Sequence, residues 1–142
     1  MEVMKATAKD LDSAYKLMCE LENKELSFEM FREGYLSNLN NAGREYFIAF
    51  ISGDAIGFLS LAVDYRLFCA DKVAVIDELV VAEQYRSKGV GKALLDVATE
   101  YAKNMQCAYM AVTSSVKRVG AHKFYEKNGF ENNGYRFGKF LQ

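Results

Sequence analysis

The sequence contains no proline, a single histidine and three cysteines, and its positive and negative charges nearly cancel. Because Cys19, Cys69 and Cys107 are odd in number and widely spaced, we expect reduced thiols of a cytoplasmic protein rather than disulfides. With His122 as the one histidine, we expect no metal site built from protein ligands alone. The absence of proline has no functional interpretation.

Long apolar runs are also missing. No stretch approaches the roughly 18 apolar residues that a membrane span needs, and residues 1–5 do not resemble a signal peptide. The net charge of -1 argues against nucleic acid as a partner. The charge is uneven, however, since residues 112–142 carry six basic and two acidic side chains. That excess suits an anionic ligand, and a solvated charged face explains it equally well.

The hydrophobic pattern over residues 1–142 predicts one α/β domain with a mixed sheet. Thr7 and Asp10 are spaced as a capping box for a first helix, and Ser27 is placed to cap a second. Strands are expected at residues 3–6, 46–51, 55–63, 73–81 and 108–113, and further strands from Phe130 onward. Helices are expected at residues 92–104 and 119–128, with Gly129 ending the second.

A short basic glycine loop separates the strand that ends at Val81 from the helix that follows. The loop reads Arg86-Ser87-Lys88-Gly89-Val90-Gly91-Lys92. A helix N-terminus leaves backbone N–H groups unpaired and carries partial positive charge, so such a loop binds phosphate or pyrophosphate. The spacing fits neither a Walker loop, which needs Ser or Thr at position 93, nor a dinucleotide fingerprint, which needs glycine at position 94.

A second motif follows some thirty residues later, Phe124-Tyr125-Glu126-Lys127-Asn128-Gly129-Phe130. Together the two motifs resemble those of the GNAT superfamily of acetyl-CoA-dependent N-acetyltransferases, and the resemblance covers essentially the whole chain. It implies a sheet flanked by about four helices, with mostly antiparallel strands. It also implies that the strands ending near Val81 and starting near Ala108 diverge around the cofactor. Acetyl-CoA would bind the backbone of Leu79, Val80 and Val81 and the N–H groups of residues 86–92.

The resemblance places the Tyr125 hydroxyl opposite the departing sulfur as a general acid, with a backbone N–H near Val80 stabilising the oxyanion. The alternative is that the Tyr125 ring merely packs against the cofactor channel. A tyrosine pKa near 10 is close enough to that of a thiol, about 8.5, for the proton transfer. His122 lies three residues before Tyr125 and is expected to be structural or to line the substrate site.

Two carboxylates, Asp77 and Glu78, interrupt an otherwise apolar strand. Adjacent strand residues point to opposite faces, so one of them should face the cleft unless a bulge intervenes. Glu78, acting through a water, is the first candidate for the general base and Asp77 the second; a partly exposed strand end is the alternative. Many superfamily members carry their catalytic Glu where this sequence has Val75, so that role does not transfer.

Further likenesses, including Phe31-Arg32-x-Gly34, Val116-Lys117-Arg118 and Arg136-Phe137, extend to the bacterial aminoalkylphosphonate N-acetyltransferases. That branch implies a small primary amine as acceptor and assistance from a divalent metal. Guanidinium groups suit a phosphonate, and the candidates for this role are Arg32, Arg66, Arg118 and Arg136. Other acceptors remain open: a polyamine, an amino sugar, an amino acid or a protein amine. So does a non-catalytic acyl-CoA-binding module. A homodimer is expected because dimers are common in the superfamily.

Overall fold

A five-stranded sheet in the order β1-β2-β3-β4-β5 organises the chain. In this computed structural model, which describes residues 1–114 and 119–142, every neighbouring pair is antiparallel except β4 and β5, which are parallel. The elements are β1 (Glu2–Lys5), α1 (Leu11–Glu22), α2 (Phe28–Leu39), β2 (Arg44–Ile51), β3 (Asp54–Arg66), β4 (Asp71–Val81), α3 (Val90–Asn104), β5 (Tyr109–Val112) and α4 (Val119–Lys127). The predicted class, an α/β fold with a mixed, mostly antiparallel sheet and four helices, is confirmed.

The sheet separates two hydrophobic cores. On one face, odd-numbered residues of β3 such as Leu59 and Leu61 pack with Leu94 and Ala98 of α3. On the other face, Phe58 packs with residues of α1 and α2. The alternation of side chains along a strand produces this division. We call the second face the α1–α2 face, after the two helices that pack on it. The candidate carboxylates lie on this face.

Both predicted helix caps form, although the first one starts a 3-10 turn ahead of α1 rather than α1 itself. Thr7 and Asp10 form the capping box, since the Thr7 N–H donates to the Asp10 carboxylate at 2.8 Å. A short 3-10 turn, Ala8–Asp10, precedes α1. The Ser27 hydroxyl accepts the Met30 N–H at 3.3 Å and caps α2. Side-chain oxygens thus satisfy N–H groups that a helix start leaves without partners.

Helix α3 lies very close to β3, and Gly57 permits this approach. A Cβ at Gly57 would lie 2.9 Å from Leu94 Cδ1 and 3.0 Å from Val90 Cγ1. Those distances are shorter than van der Waals contact, so any larger residue would force the buried Leu94 and Val90 side chains to move. The start of α3, and with it the glycine loop, is therefore fixed against the centre of the sheet.

The C-terminal quarter departs from the prediction. Strand β5 is half-exposed rather than buried, and residues 130–142 form no strand. Tyr135 and Phe137 are 83% and 92% exposed. An alternating pattern yields a strand only where a neighbouring backbone supplies hydrogen bonds; here the segment approaches β5 through a side-chain bond from Asn133 to Tyr109.

Helix α4 ends at Lys127, one residue before the predicted end. Gly129 ends the helix, as predicted. Gly129 adopts a φ of 93°, and the Phe130 N–H donates to the Tyr125 carbonyl at 3.0 Å. The Gly129 N–H donates to the Glu126 carbonyl at 3.2 Å, which completes a Schellman motif. None of the described helices is long and apolar enough to cross a membrane.

Candidate active site

The glycine loop leads directly into the N-terminus of α3, which begins at Val90. Two of its residues adopt left-handed conformations, Ser87 with φ of 62° and Gly89 with φ of 85°. The N–H groups of the first helical turn have no acceptors within the helix. Successive N–H groups arranged in this way form a concave anion site, to which the helix dipole contributes.

The basic side chains of this loop already have protein partners. Arg86 Nε donates to the Val81 carbonyl at 3.1 Å, which holds the loop over the end of β4. Lys92 Nζ pairs with Asp96 at 2.7 Å, and Lys88 Nζ lies 5.7 Å from the centre of the Tyr85 ring. The anion site therefore relies mainly on the backbone.

Gly91 has a packing role in addition to the predicted one. A Cβ there would lie 3.2 Å from Phe124 Cζ and 3.7 Å from Val81 Cγ2. The absent side chain thus allows α4 to pack against the first turn of α3. Tyr125 follows Phe124 on α4, and its ring meets those of Phe124 and Phe130 edge-on, at centroid distances of 5.4 Å and 5.7 Å.

Strands β4 and β5 pair over only part of β4. The pairing ends at Ile76 and Val112, whereas β4 continues to Val81. Within residues 1–114 and 119–142, no strand pairs with the far side of residues 79–81. One edge of β4 is therefore open beside the glycine loop, as the family resemblance implies. Ser114 follows β5 here, and its buried hydroxyl has no hydrogen-bond partner among the described residues, a situation that a bound ligand can relieve.

A β-bulge brings the two candidate carboxylates to the same face. Ser60 pairs with Glu78, but the next residue of β3, Leu61, pairs with Ile76, so Asp77 is an extra residue in β4. Tyr46, Ser60 and Glu78 form a row across three strands, and directly opposed residues share a face. Tyr46 belongs to the α1–α2 core, so Glu78 lies on that face.

Glu78 combines an accessible surface with a desolvated carboxyl group. Much of the residue is exposed, yet its Oε1 accepts a short hydrogen bond from the Ser60 hydroxyl. Burial among its neighbours raises the pKa of the Glu78 carboxyl, while the Ser60 hydrogen bond opposes that rise. A carboxylate that solvent reaches and whose pKa is raised is suited to accept a proton.

Asp77 is engaged by Arg44. The Arg44 guanidinium lies 3.0 Å from the Asp77 carboxylate, and both side chains are about one-third exposed (35% and 34%). Arg44 lies two residues before Tyr46 on β2 and so shares its face. Arg44 also lowers the pKa of Glu78, whereas Asp77 and Glu22 raise it. A carboxylate already paired with a guanidinium is the weaker candidate for a base.

The predicted substrate arginines that the structure describes lie on three different parts of the chain. Arg32 is exposed on α2, Arg66 is exposed at the end of β3, and Arg136 lies in the exposed C-terminal segment. Arg118 lies outside the described residues. His122 is half-buried on α4, one turn before Tyr125.

Sequence reasoning missed Ser60 and Arg44. Ser60 stands alone as a hydroxyl within an apolar strand, which was the available signal, since a buried polar residue needs a partner. Arg44 offered no such signal, because only the pairing of β2, β3 and β4 places it beside the bulge.

The part of the chain that the structure describes contains no cluster of three or more His, Cys, Asp or Glu side chains able to hold a metal ion. The described residues thus do not fit the divalent metal that the phosphonate branch implies.

Known proteins that are similar to this chain include N-acetyltransferases. The chain is 35% identical over 140 residues to an aminoalkylphosphonate N-acetyltransferase of Salmonella typhimurium, covering 99% of this chain and 91% of that protein. The structure matches that of a putative acetyltransferase from Agrobacterium tumefaciens (24% identity, TM-score 0.88, covering 99% and 100%). It also matches an aminoglycoside N-acetyltransferase in complex with CoA (22% identity, TM-score 0.88, covering 99% and 95%). The model of the acetyltransferase (GNAT) family matches residues 10–130, and the chain therefore belongs to this family of acyltransferases.

Proposed function

We propose that the chain transfers an acetyl group from acetyl-CoA to the primary amine of a small molecule, an aminoalkylphosphonate. The observation that carries the choice of substrate is the 35% identity, over nearly the whole of both chains, to the Salmonella enzyme of that name. GNAT enzymes use acetyl-CoA as the acetyl donor, and the open edge of β4 beside an N–H-rich helix start supports its binding here.

The donor would bind in two places. Backbone groups of residues 79–81 on the open edge of β4 would pair with the amide groups of pantetheine, and the N–H groups of residues 87–91 would hold the pyrophosphate. The left-handed conformations of Ser87 and Gly89 support the second contact, because left-handed residues are typical of loops in which successive N–H groups form an anion site.

Glu78 would remove a proton from the acceptor ammonium. The neutral nitrogen would then form a bond to the thioester carbonyl carbon, and the carbon–sulfur bond would break as the tetrahedral intermediate collapses. Tyr125 would give its proton to the departing thiolate, and the second proton that the nitrogen loses on becoming an amide would return to the phenolate of Tyr125 through solvent. The raised pKa of Glu78 supports the first step, since a base works best when its pKa lies close to the operating pH.

Val75 occupies the position at which many family members carry their catalytic glutamate. The pairing of the strands supports Glu78 as its replacement. Arg44, Ala62 and Val75 form the row adjacent to Tyr46, Ser60 and Glu78. Adjacent rows on one face lie about 7 Å apart. A glutamate in the neighbouring row, or a water that it holds, can therefore reach the same amine.

Incubation with acetyl-CoA and pooled amines, followed by mass spectrometry, tests the proposal. The pool contains aminomethylphosphonate, 2-aminoethylphosphonate, spermidine, an aminoglycoside and a lysine peptide, with and without Mg²⁺. Acetylation of the phosphonates in preference to the others is expected. Preferential acetylation of another amine would overturn the proposed substrate. Binding of acetyl-CoA without any product would overturn the proposed catalytic activity.

The role of Tyr125 is tested by Tyr125→Phe, which removes the hydroxyl and keeps the ring contacts with Phe124 and Phe130. We expect kcat to fall about 10²-fold, at the lower end of what a positioned acid contributes. The dissociation constant of acetyl-CoA, measured by calorimetry, should not change. Full activity of this variant would exclude Tyr125 as the acid.

A further inference from the structure

Ser60 is a polar residue at the centre of an apolar strand. It is 2% exposed, and its neighbours on β3, Leu59 and Leu61, are fully buried. A buried hydroxyl costs free energy unless it is hydrogen-bonded, whereas alanine would occupy the same space at no such cost. Core packing therefore does not explain why position 60 is a serine.

Both hydrogen bonds of this hydroxyl go to one residue. Ser60 Oγ donates to Glu78 Oε1 and accepts the Glu78 backbone N–H at 3.1 Å. Its one proton and one of its lone pairs are thus committed to the side chain and the main chain of the same glutamate. The contact lies directly beside the bulge at Asp77, where a regular ladder no longer fixes the backbone.

We propose that Ser60 is a positioning residue that holds the Glu78 carboxylate on the α1–α2 face and keeps it ionised for proton transfer. The inference rests on the proposed function, in which Glu78 is the base. Serine is suited to this task because the bond from a hydroxyl to a carboxylate is stronger when the carboxylate is charged.

The other groups that face Glu78 define the electrostatic background. They are Asp77 on its own strand, Arg44 and Tyr46 on β2, and Glu22 on α1. Asp77 and Glu22 raise the pKa of Glu78, and Arg44 lowers it. Ser60 also lowers it, but carries no charge. Its removal therefore changes the proton affinity of Glu78 without altering the net charge of the site.

Three variants test the proposal: Ser60→Ala removes the hydroxyl, Ser60→Thr retains it, and Val63→Ala is the control. Val63 lies on the same strand and is buried, but it packs in the opposite core. The measurements are the pH profile of kcat/KM with 2-aminoethylphosphonate and acetyl-CoA, and a ¹³C NMR titration of the glutamate carboxyl groups in the free protein. Glu78→Gln assigns the Glu78 resonance.

For Ser60→Ala we expect about a tenfold loss of kcat/KM, with unchanged affinity for acetyl-CoA, because the base remains but is less well held. The acidic limb of the profile and the NMR titration of Glu78 should both move to higher pH. Ser60→Thr should restore both, and Val63→Ala should lower the melting temperature without moving either.

An unchanged Glu78 titration in folded Ser60→Ala would overturn the inference, and this result needs no acceptor. An equal shift in Val63→Ala would also overturn it, since any loss of core packing would then have the same effect. Failure of the proposed function has a different signature: Glu78→Gln would retain the acidic limb, while the NMR response to Ser60→Ala would persist.

Discussion

Strand β4 departs from regular structure twice, at the bulge around Asp77 and in the loop that follows Val81, and the two departures work in different ways. At the bulge the chemistry belongs to side chains: Glu78 is held by Ser60, and Asp77 by Arg44. In the loop the basic side chains bind other protein groups, and in the proposed function the backbone N–H groups hold the cofactor. Substitutions should therefore act strongly through side-chain chemistry at the bulge and through backbone shape in the loop.

The largest effect is expected from Glu78→Gln. Loss of a general base should lower kcat/KM by about 10²–10⁴-fold and abolish the acidic limb of its pH profile. Calorimetry should show unchanged binding of acetyl-CoA, because the loop is untouched. Glu131→Gln removes the same charge from the exposed C-terminal segment and should leave the profile as it is. A preserved limb in Glu78→Gln would transfer the role to Asp77 or to water.

In the loop, Gly91→Ala and Lys92→Ala separate shape from charge. The new Cβ at position 91 would lie 3.2 Å from the Phe124 ring, so α4 or the loop must shift. We expect the dissociation constant of acetyl-CoA to rise about tenfold. Lys92 pairs with Asp96 on the surface, and its loss should change the constant less than about threefold, as exposed ion pairs contribute little.

The double variant Gly91→Ala/Phe124→Leu checks the cause, since the shorter side chain should recover much of the affinity lost by Gly91→Ala. A larger effect of Lys92→Ala than of Gly91→Ala, measured by calorimetry at two salt concentrations, would contradict the backbone interpretation of the loop.

Smaller and opposite effects are expected from the two partners beside Glu78. Arg44 lowers the pKa of Glu78 and Asp77 raises it. Arg44→Met should therefore move the acidic limb of kcat/KM to higher pH, and Asp77→Asn should move it to lower pH. Both shifts should shrink at high salt, because each charge is partly exposed. Shifts in the same direction would show that the base is not Glu78.

The smallest effect concerns stability. Because the pKa of Glu78 in the folded protein is raised above its ordinary value of 4.5, ionisation of this group opposes folding at pH values above the raised pKa. That cost disappears as the pH falls towards 4.5. Glu78→Gln should thus raise the melting temperature at neutral pH by about 1–3 °C, with allowance for solvent exposure. The gain should vanish near pH 4.5 in calorimetric scans; a gain independent of pH would contradict this explanation.

The features that could be predicted from the sequence are those with local causes. The capping residues Thr7 and Ser27 and the periodicity of α3 determine where helices begin and extend, and the basic glycine loop follows from adjacent residues. The bulge could not be predicted, because it depends on the register of β3 against β4. The pairing of Ser60 with Glu78, 18 positions apart, depends on that same register.

In the C-terminal segment, by contrast, the sequence predicts strands that do not form. Strands are predicted from Phe130 onward, but residues 130–142 form no strand and pair with none of the described strands. Local pattern alone did not determine the structure, because a strand is completed by its partner. The roles of Arg32, Arg66 and Arg136, which rest on the family resemblance, stay predictions, since these residues lie on different parts of the chain.

The open edge of β4 has a consequence beyond catalysis. Unpaired strand edges are places where separate protein molecules join into aggregates, and natural proteins protect them with bulges and charged side chains. Strand β4 carries features of both kinds just before residues 79–81, namely the bulge and the carboxylates of Asp77 and Glu78. In the proposed function acetyl-CoA would temporarily complete this edge as though it were a missing strand, and the edge would then be open only between turnovers.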